Sequence, residues 1–213
     1  MGGHDMVDIH THILPGVDDG CQTFEEALEV LRRMRELGIR KVYLTPHLNH
    51  PTVKTDIEDI KLRYREFLER LKDSRLDVEV HLGSEYYLTE KAAPYIPFDD
   101  TNVVLVELPV NNYPFYLLNR LFEIELDGNR IVIAHLERYE YLFENDLLRK
   151  LKDRGVYFQV NVSSVLQKNK NAVYLLKNGY VDFLATDIHR IDDLKNLEKL
   201  DGYEQYFQCE KLL

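Results

Sequence analysis

His10 and His12, one residue apart at the end of the short apolar run Met6-Val7-Asp8-Ile9, open a pattern that could hold metal cations. In an extended chain, side chains two positions apart point to the same face, so both imidazoles can reach one ion. An H-x-H pair alone is a weak signal, but this one is followed by Gly16-Val17-Asp18-Asp19-Gly20, then by His47, Glu85, Glu107, His135, Asp187 and His189. From His47 onward, each lies at or just beyond the C-terminal end of a strand-like run. Carboxylates can bridge cations, and a mixed nitrogen and oxygen shell suits manganese, iron or zinc rather than calcium. Covalent routes are poorly served. A cysteine phosphatase needs an arginine after five intervening residues, where Cys21 finds Ala27 and Cys209 lies too near the end, and no G-x-S-x-G elbow occurs.

The elements that must carry these residues alternate between strand-like and helix-like throughout, without linkers or low-complexity tracts, which favours α/β. Seven strand candidates are legible: Met6–Ile9, Lys41–Thr45, Val78–Leu82, Val103–Val106, Ile131–Ala134, Tyr157–Val160 and Val181–Ala185. The first helix has capping-box spacing at Thr23 and Glu26, an apolar stripe of Phe24, Ala27, Leu28, Leu31, Met34 and Leu37, and Gly38 as its stop. A second runs from about Ile57 to Leu71, with Thr55 and Glu58 spaced as another capping box. Further helices are expected near 114–127, 140–154 and 171–178. Seven β/α units predict a barrel, whose functional residues project from the C-terminal strand ends. The candidate ligands fall there, and only the strand ending at Asn161 lacks one.

With 213 residues, 45% hydrophobic and 30% charged, the chain can bury a core as one domain, and neither disorder nor a membrane span fits. Residues 6–213 read as that domain and residues 1–5, His4 included, as an extension ahead of it. A net charge of −10 argues against a nucleic-acid surface. Two distant cysteines make no disulfide framework, so a cytoplasmic setting is expected.

Asp8-Ile9-His10-Thr11-His12 with Gly16-Val17-Asp18-Asp19-Gly20, Thr45-Pro46-His47, Gly83-Ser84-Glu85, Val106-Glu107-Leu108-Pro109, Ile133-Ala134-His135-Leu136-Glu137-Arg138-Tyr139 and Thr186-Asp187-Ile188-His189 resemble the successive motifs of PHP-domain phosphatases. Within that superfamily they most resemble the manganese-dependent bacterial protein-tyrosine phosphatases of capsule and exopolysaccharide operons. The resemblance spans roughly residues 6 to 190.

It implies a distorted (β/α)7 barrel and three divalent metal ions, manganese first and iron or zinc next. His10, His12, Glu85 and Asp187 would hold one ion; Glu85, Glu107 and His135 a second; Asp19, His47 and His189 a third. Four carboxylates against three such cations leave a formal charge of about +2, which can attract a phosphate dianion into an acidic protein. A metal-bound hydroxide would then attack phosphorus in line. Arg138 is placed to fork onto the phosphoryl oxygens, against a plainer role in a surface ion pair with Glu137 or Glu140. Two departures stand out: Leu136 follows His135 where the family has proline, and the family's second phosphate-binding arginine is not clearly reproduced, leaving Arg190 or Lys195 for that role.

The expected substrate is a phosphotyrosine-containing protein, with the tail of a bacterial tyrosine kinase that governs polysaccharide export implied by the resemblance alone. A histidinol-phosphate phosphatase is the alternative, followed by a metal-dependent nuclease or amidohydrolase and, last, a non-catalytic module that binds phosphorylated tails. Oligomeric state is not legible. Of the aromatics placed near the mouth, Tyr86, Tyr87, Tyr113, Phe115, Tyr116, Tyr139 and Tyr141, most are expected to fill the core. His81 reads as a packed strand histidine and His50 as a loop residue that could touch substrate.

Overall fold

The computed structural model describes residues 6–99, 101–194 and 202–208. Among these, nine parallel strands form the seven staves of a barrel, because two staves are broken in the middle. β1 (Met6–Thr11) pairs with β2 (Ile39–Leu44), which pairs with β4 (Glu79–Leu82). Past the break at Thr45-Pro46, the second stave resumes as β3 (His47–Leu48), paired with β5 (Glu85–Tyr87), itself resuming after Gly83-Ser84. β6 (Val103–Glu107), β7 (Arg130–Ile133), β8 (Tyr157–Asn161) and β9 (Phe183–Ala185) continue the order. A bridge from Thr11 to Ile188, with the His12 amide donating to the Ile188 carbonyl at 2.8 Å, brings the last stave back to the first.

Proline explains the first break, since it cannot donate to a ladder. At the second, Asp99 and Phe98 enter the gap: the Asp99 amide donates to Leu82, and the Leu82 amide donates to the Asp99 carboxylate at 2.8 Å. Gly83 allows this approach, because a Cβ there would meet the Phe98 ring at 2.5 Å. The distorted seven-unit barrel expected from the sequence is therefore present, with its distortion localised here.

Two apolar layers follow from the strand alternation. Val7, Ile9, Tyr43, Phe98, Val103, Leu105, Val132, Ala134, Phe183 and Ala185 fill the barrel interior, while Val104, Val106, Ile131 and Ile133 face outward onto the helices. Those are α1 (Phe24–Glu36), α2 (Ile57–Asp73), α3 (Leu117–Leu126), α4 (Leu147–Asp153), α5 (Val162–Leu166) and α6 (Lys170–Lys177). The Thr23 hydroxyl accepts from the Glu26 amide as expected, and Gly38 closes α1 at φ +92°. Leu28 and Leu37 are only half-buried, whereas Val30 completes the buried stripe.

Two helix expectations are corrected. The cap of α2 is Asp56, which accepts from the Glu58 and Asp59 amides; Thr55 is taken up instead by donating to the His47 carbonyl at 2.6 Å. The helix expected over 140–154 is split into a 3-10 turn (Glu140–Phe143) and α4, because Asn145 and Asp146 adopt φ of 54° and 59°. α5, a single short turn of helix directly after β8, has too few residues to show a period.

Candidate metal centre

The side-chain parity of β1 needs a correction before its histidines can face the barrel axis. Val7 and Ile9 point into the interior, so simple alternation would turn His10 and His12 outward. A bulge resolves this: Asp8 pairs with Val42 and Thr11 with Leu44, leaving Ile9 and His10 both opposite Tyr43. The extra residue puts His10 on the inner side after Ile9, and His12 follows it there. Asp8 secures the bulge, its Oδ1 accepting from the amides of His10 and Thr186, both at 3.2 Å.

All nine expected ligands converge at this end of the barrel. His10 Nε2 lies 3.3 Å from Glu85 Oε1 and 3.4 Å from Asp187 Oδ1, and His12 Nε2 lies 3.2 Å and 3.4 Å from the same two carboxylates. His135 Nε2 sits 2.7 Å from Glu85 Oε1 and 3.8 Å from Glu107 Oε1. Asp19 Oδ1 stands 3.6 Å from both His47 Nε2 and His189 Nε2. Glu85 thus touches four histidines, counting His47 Nδ1 at 2.9 Å. His135 and Asp187 adopt left-handed backbone, φ 31° and 52°, a strained conformation that aims both side chains inward.

Three of the rings are held from behind. His12 Nδ1 donates to Asp18 Oδ2 at 2.8 Å, and His189 Nδ1 to the Asp187 carbonyl at 3.0 Å. His135 Nδ1 meets the Tyr139 hydroxyl at 2.9 Å, which also accepts the Leu108 amide. Asp18 and Tyr139 were not singled out by sequence as functional, although Asp18 adjoins Asp19 in the same turn. Gly20 lets that turn close on β1, since a Cβ there would overlap the His12 carbonyl oxygen at 1.7 Å.

Three buried atoms facing the cluster, His47 Nδ1, Glu85 Oε2 and Glu107 Oε2, have no hydrogen-bond partner. Buried polar atoms are otherwise almost always satisfied, so such a group is what cations would complete. The electrostatics make the same demand. Burial alone would lower the His10 pKa, yet Glu85 and Asp187 lift it to about 9, and His12 is raised as well. Glu107 is pushed up to about 8 by burial and then by the charge of Glu85. The cluster draws positive charge to itself, and protons and cations compete for it. Donor set and orphaned atoms both fit divalent metals.

Beside the cluster opens a cleft of about 470 Å³ lined by Arg138, Asn161, Asp187, His189 and Arg190 among others. Arg138 donates to Asp187 Oδ2 at 2.8 Å with its side chain 44% exposed. The surface pair with Glu137 or Glu140 is replaced, because Glu137 is buried and its carboxylate accepts the Asn161 amide. Arg190 reaches the same cleft, its guanidinium near the Asp19 carbonyl and Glu26. Lys195 lies outside the described residues. His50 was left out of the expected ligand set, yet its Nε2 lies 3.8 Å from Glu107 Oε2, with Nδ1 accepting the Val53 amide. His81 packs on Tyr43 away from the site. Tyr86 and Tyr139 are fully buried; Tyr87, Tyr116 and Tyr141 are half-buried; Tyr113 and Phe115 are exposed.

The model of the CpsB/CapC family, described as capsular polysaccharide synthesis, matches residues 6–199. CapC of Staphylococcus aureus is 30% identical, covering 98% of this chain and 91% of its own. The tyrosine-protein phosphatases YwqE of Bacillus subtilis and CpsB of Streptococcus pneumoniae are 28% and 29% identical over 87% and 88% of this chain and 78% and 84% of theirs. A crystal structure from work on those two, described as unique metal-dependent tyrosine phosphatases, superposes with a TM-score of 0.80 at 27% identity, covering 95% of this chain and 90% of the other. Histidinol phosphate phosphatase of Lactococcus lactis, with a TM-score of 0.52 at 16% identity over 93% of this chain and 94% of its own, shares the fold alone.

Proposed function

The chain belongs to the CpsB/CapC family, and on that premise we propose that it is a metal-dependent protein-tyrosine phosphatase whose site is the cluster at the barrel mouth. In this reading His10, His12, Glu85 and Asp187 hold one ion, Glu85, Glu107 and His135 a second, and Asp19, His47 and His189 a third. Manganese is the first candidate, with iron or zinc suited to the same donors. When bound, such ions supply Lewis acidity and make water nucleophilic near neutral pH.

The chain's own residues do the rest. Arg138 carries the reading: it stands where the ligand cluster meets the open cleft, held at its angle by Asp187. From there its fork binds two phosphoryl oxygens, and Arg190 adds charge on the far rim. Asp187 therefore serves both the ions and the guanidinium. Water adds to phosphorus and the tyrosine phenolate leaves. A phenol has a pKa near 10, well below an alkyl alcohol, so departure needs little help from an acid. Both arginines are more than two-fifths exposed, which suits a phosphate carried on a protein segment.

The substrate segment we propose is the tyrosine-rich tail of a bacterial kinase in the cytoplasm, acting in capsular polysaccharide synthesis, and the catalytic unit is residues 6–213. No helix among the described residues is long and apolar enough to cross a membrane. The test compares hydrolysis of a phosphotyrosine peptide, a phosphoserine peptide and histidinol phosphate by protein stripped of metal and refilled with manganese, beside His10→Ala. Turnover confined to phosphotyrosine, restored by manganese and lost in the variant, is expected. Preference for histidinol phosphate, or no turnover with ions bound, overturns the reading.

A further inference from the structure

We infer that Gln159 and Asn161 on β8, the stave without a ligand, are positioning residues: an oriented amide relay that links Asp187 to His10 and His135 and sets which nitrogen of His10 faces the ions. The inference rests on the reading of those three residues as ligands.

Both amides are buried, Gln159 completely and Asn161 to all but 4%. Their orientations are fixed from both ends. At one end the His135 backbone N–H, which can only donate, lies 2.8 Å from Gln159 Oε1, so that atom is the carbonyl oxygen. At the other end the Asp187 carboxylate, which can only accept, lies 2.8 Å from Asn161 Nδ2. Between them Gln159 Nε2 donates to Asn161 Oδ1 at 2.8 Å. Every donor meets an acceptor, and turning either amide over breaks contacts on both of its sides.

His10 Nδ1 lies 3.0 Å from the same Gln159 Oε1. Because that oxygen can only accept, His10 must carry a proton on Nδ1. Its Nε2, the atom nearest Glu85 and Asp187, is thereby the nitrogen left for a cation. The single oxygen of Gln159 also holds the His10 ring and the His135 backbone at a fixed spacing. These two residues would serve different ions in the proposed centre, so one oxygen steadies a ligand of each.

The experiment uses the full chain, stripped of metal and titrated with zinc by calorimetry, with the ring nitrogens of histidine read by 15N NMR in the zinc-loaded protein. Gln159→Leu is expected to lower zinc affinity about ten- to a hundredfold and to shift the His10 ring signals. Gln159→Glu keeps an acceptor for both the His10 ring and the His135 amide but sets a carboxylate oxygen against Asn161 Oδ1, so it is expected to restore the His10 ring signals while recovering only part of the affinity. A residue that only filled space would leave the affinity of the folded protein and the ring signals unchanged. Wild-type affinity in Gln159→Leu, or His10 ring signals in Gln159→Glu displaced as far as in Gln159→Leu, overturns the inference. Should Gln159→Leu not fold, Asn161→Asp, which sets a carboxylate against Asp187, is expected to weaken zinc binding in the same direction, and wild-type affinity there overturns it equally. Neither readout involves a substrate, so failure of phosphotyrosine turnover and failure of the relay are told apart.

Discussion

Asp18 Oδ2 lies 2.8 Å from His12 Nδ1, and the same oxygen accepts the His47 amide at 3.0 Å. One buried carboxylate thus orients a ring on the first stave and pins the start of β3 on the second. Asp18→Ala is expected to lower metal affinity about ten- to a hundredfold, read by chelator competition. The pair also contributes to folding of the metal-free protein. Burial alone would raise the Asp18 pKa, but the hydrogen bond and charge of His12, with the Gly20 and His47 amides, together outweigh it and bring the value down to about 2 from 3.8. This contribution is complete above about pH 3.8 and is lost as pH falls through about 2. The stability gap between wild type and Asp18→Ala, followed by chemical denaturation, should therefore narrow in that acid window, and narrow again in alkali as His12, whose pKa Asp18 helps to raise, loses its proton.

Glu85 meets His10, His12, His47 and His135, so no other carboxylate touches as many of the candidate ligands among the described residues. Glu85→Gln keeps the shape and removes the charge. Metal content by mass spectrometry is expected to fall by more than one ion per chain, with hydrolysis lost. Loss of a single ion would argue against a bridging role.

Glu107 near 8 and His10 near 9 must each release a proton before binding a cation. Raising the pH removes that competition. Apparent metal affinity is expected to climb from pH 6 to about 9, by up to about tenfold per unit for each proton released, and then to level off. Calorimetry in two buffers of different ionisation enthalpy counts the protons; a flat profile would contradict the assignment.

Arg138→Ala should leave metal content unchanged while lowering kcat on a phosphotyrosine peptide by roughly a hundredfold, the usual cost of one lost transition-state donor. Arg138→Lys should restore little, because an ammonium cannot make the forked contact or fill the same place against Asp187. Retained activity in Arg138→Ala would move phosphate recognition to Arg190.

Gly20→Ala tests the turn beneath the site. A methyl group there collides with the His12 carbonyl oxygen rather than with a side chain that can move aside. The variant is expected to lose metal binding together with thermal stability, whereas Gly128→Ala, on an exposed turn at φ +84° with open space around it, should cost some stability through backbone strain but keep metal binding intact.

The sequence carried more of the site than of the fold's irregularities, and the reason is physical. A candidate ligand here is a His, Asp or Glu at a strand end, so the convergence of His10, His47, Glu107 and Asp187 was legible from residue type and place. Runs such as Val103–Val106 were equally legible, because a buried stave is apolar on both faces. The bulge at Ile9 and His10 was not, since it depends on pairing with Tyr43 across the sheet. Nor was the use of Thr55, where two adjacent residues could each cap α2 and only the nearness of the His47 carbonyl decides. Gln159 was silent for a related reason: an amide announces nothing until its partners are in place.

Closure of the barrel between β1 and β9 gives the centre a temporal order. His10 and His12 sit on the first stave and Asp187 and His189 just past the last, and the seam is sewn by contacts such as that between Asp8 and Thr186, 178 residues apart. Contacts this distant in the chain form late, after the loop between them has been closed at an entropic cost. A nascent chain that has not yet exposed Asp187 already carries seven of the nine candidate ligands, but each group that draws on Asp187 or His189 is still incomplete. The full set of candidate ligands is thus assembled only after synthesis has passed the last stave, with the seam as the final step.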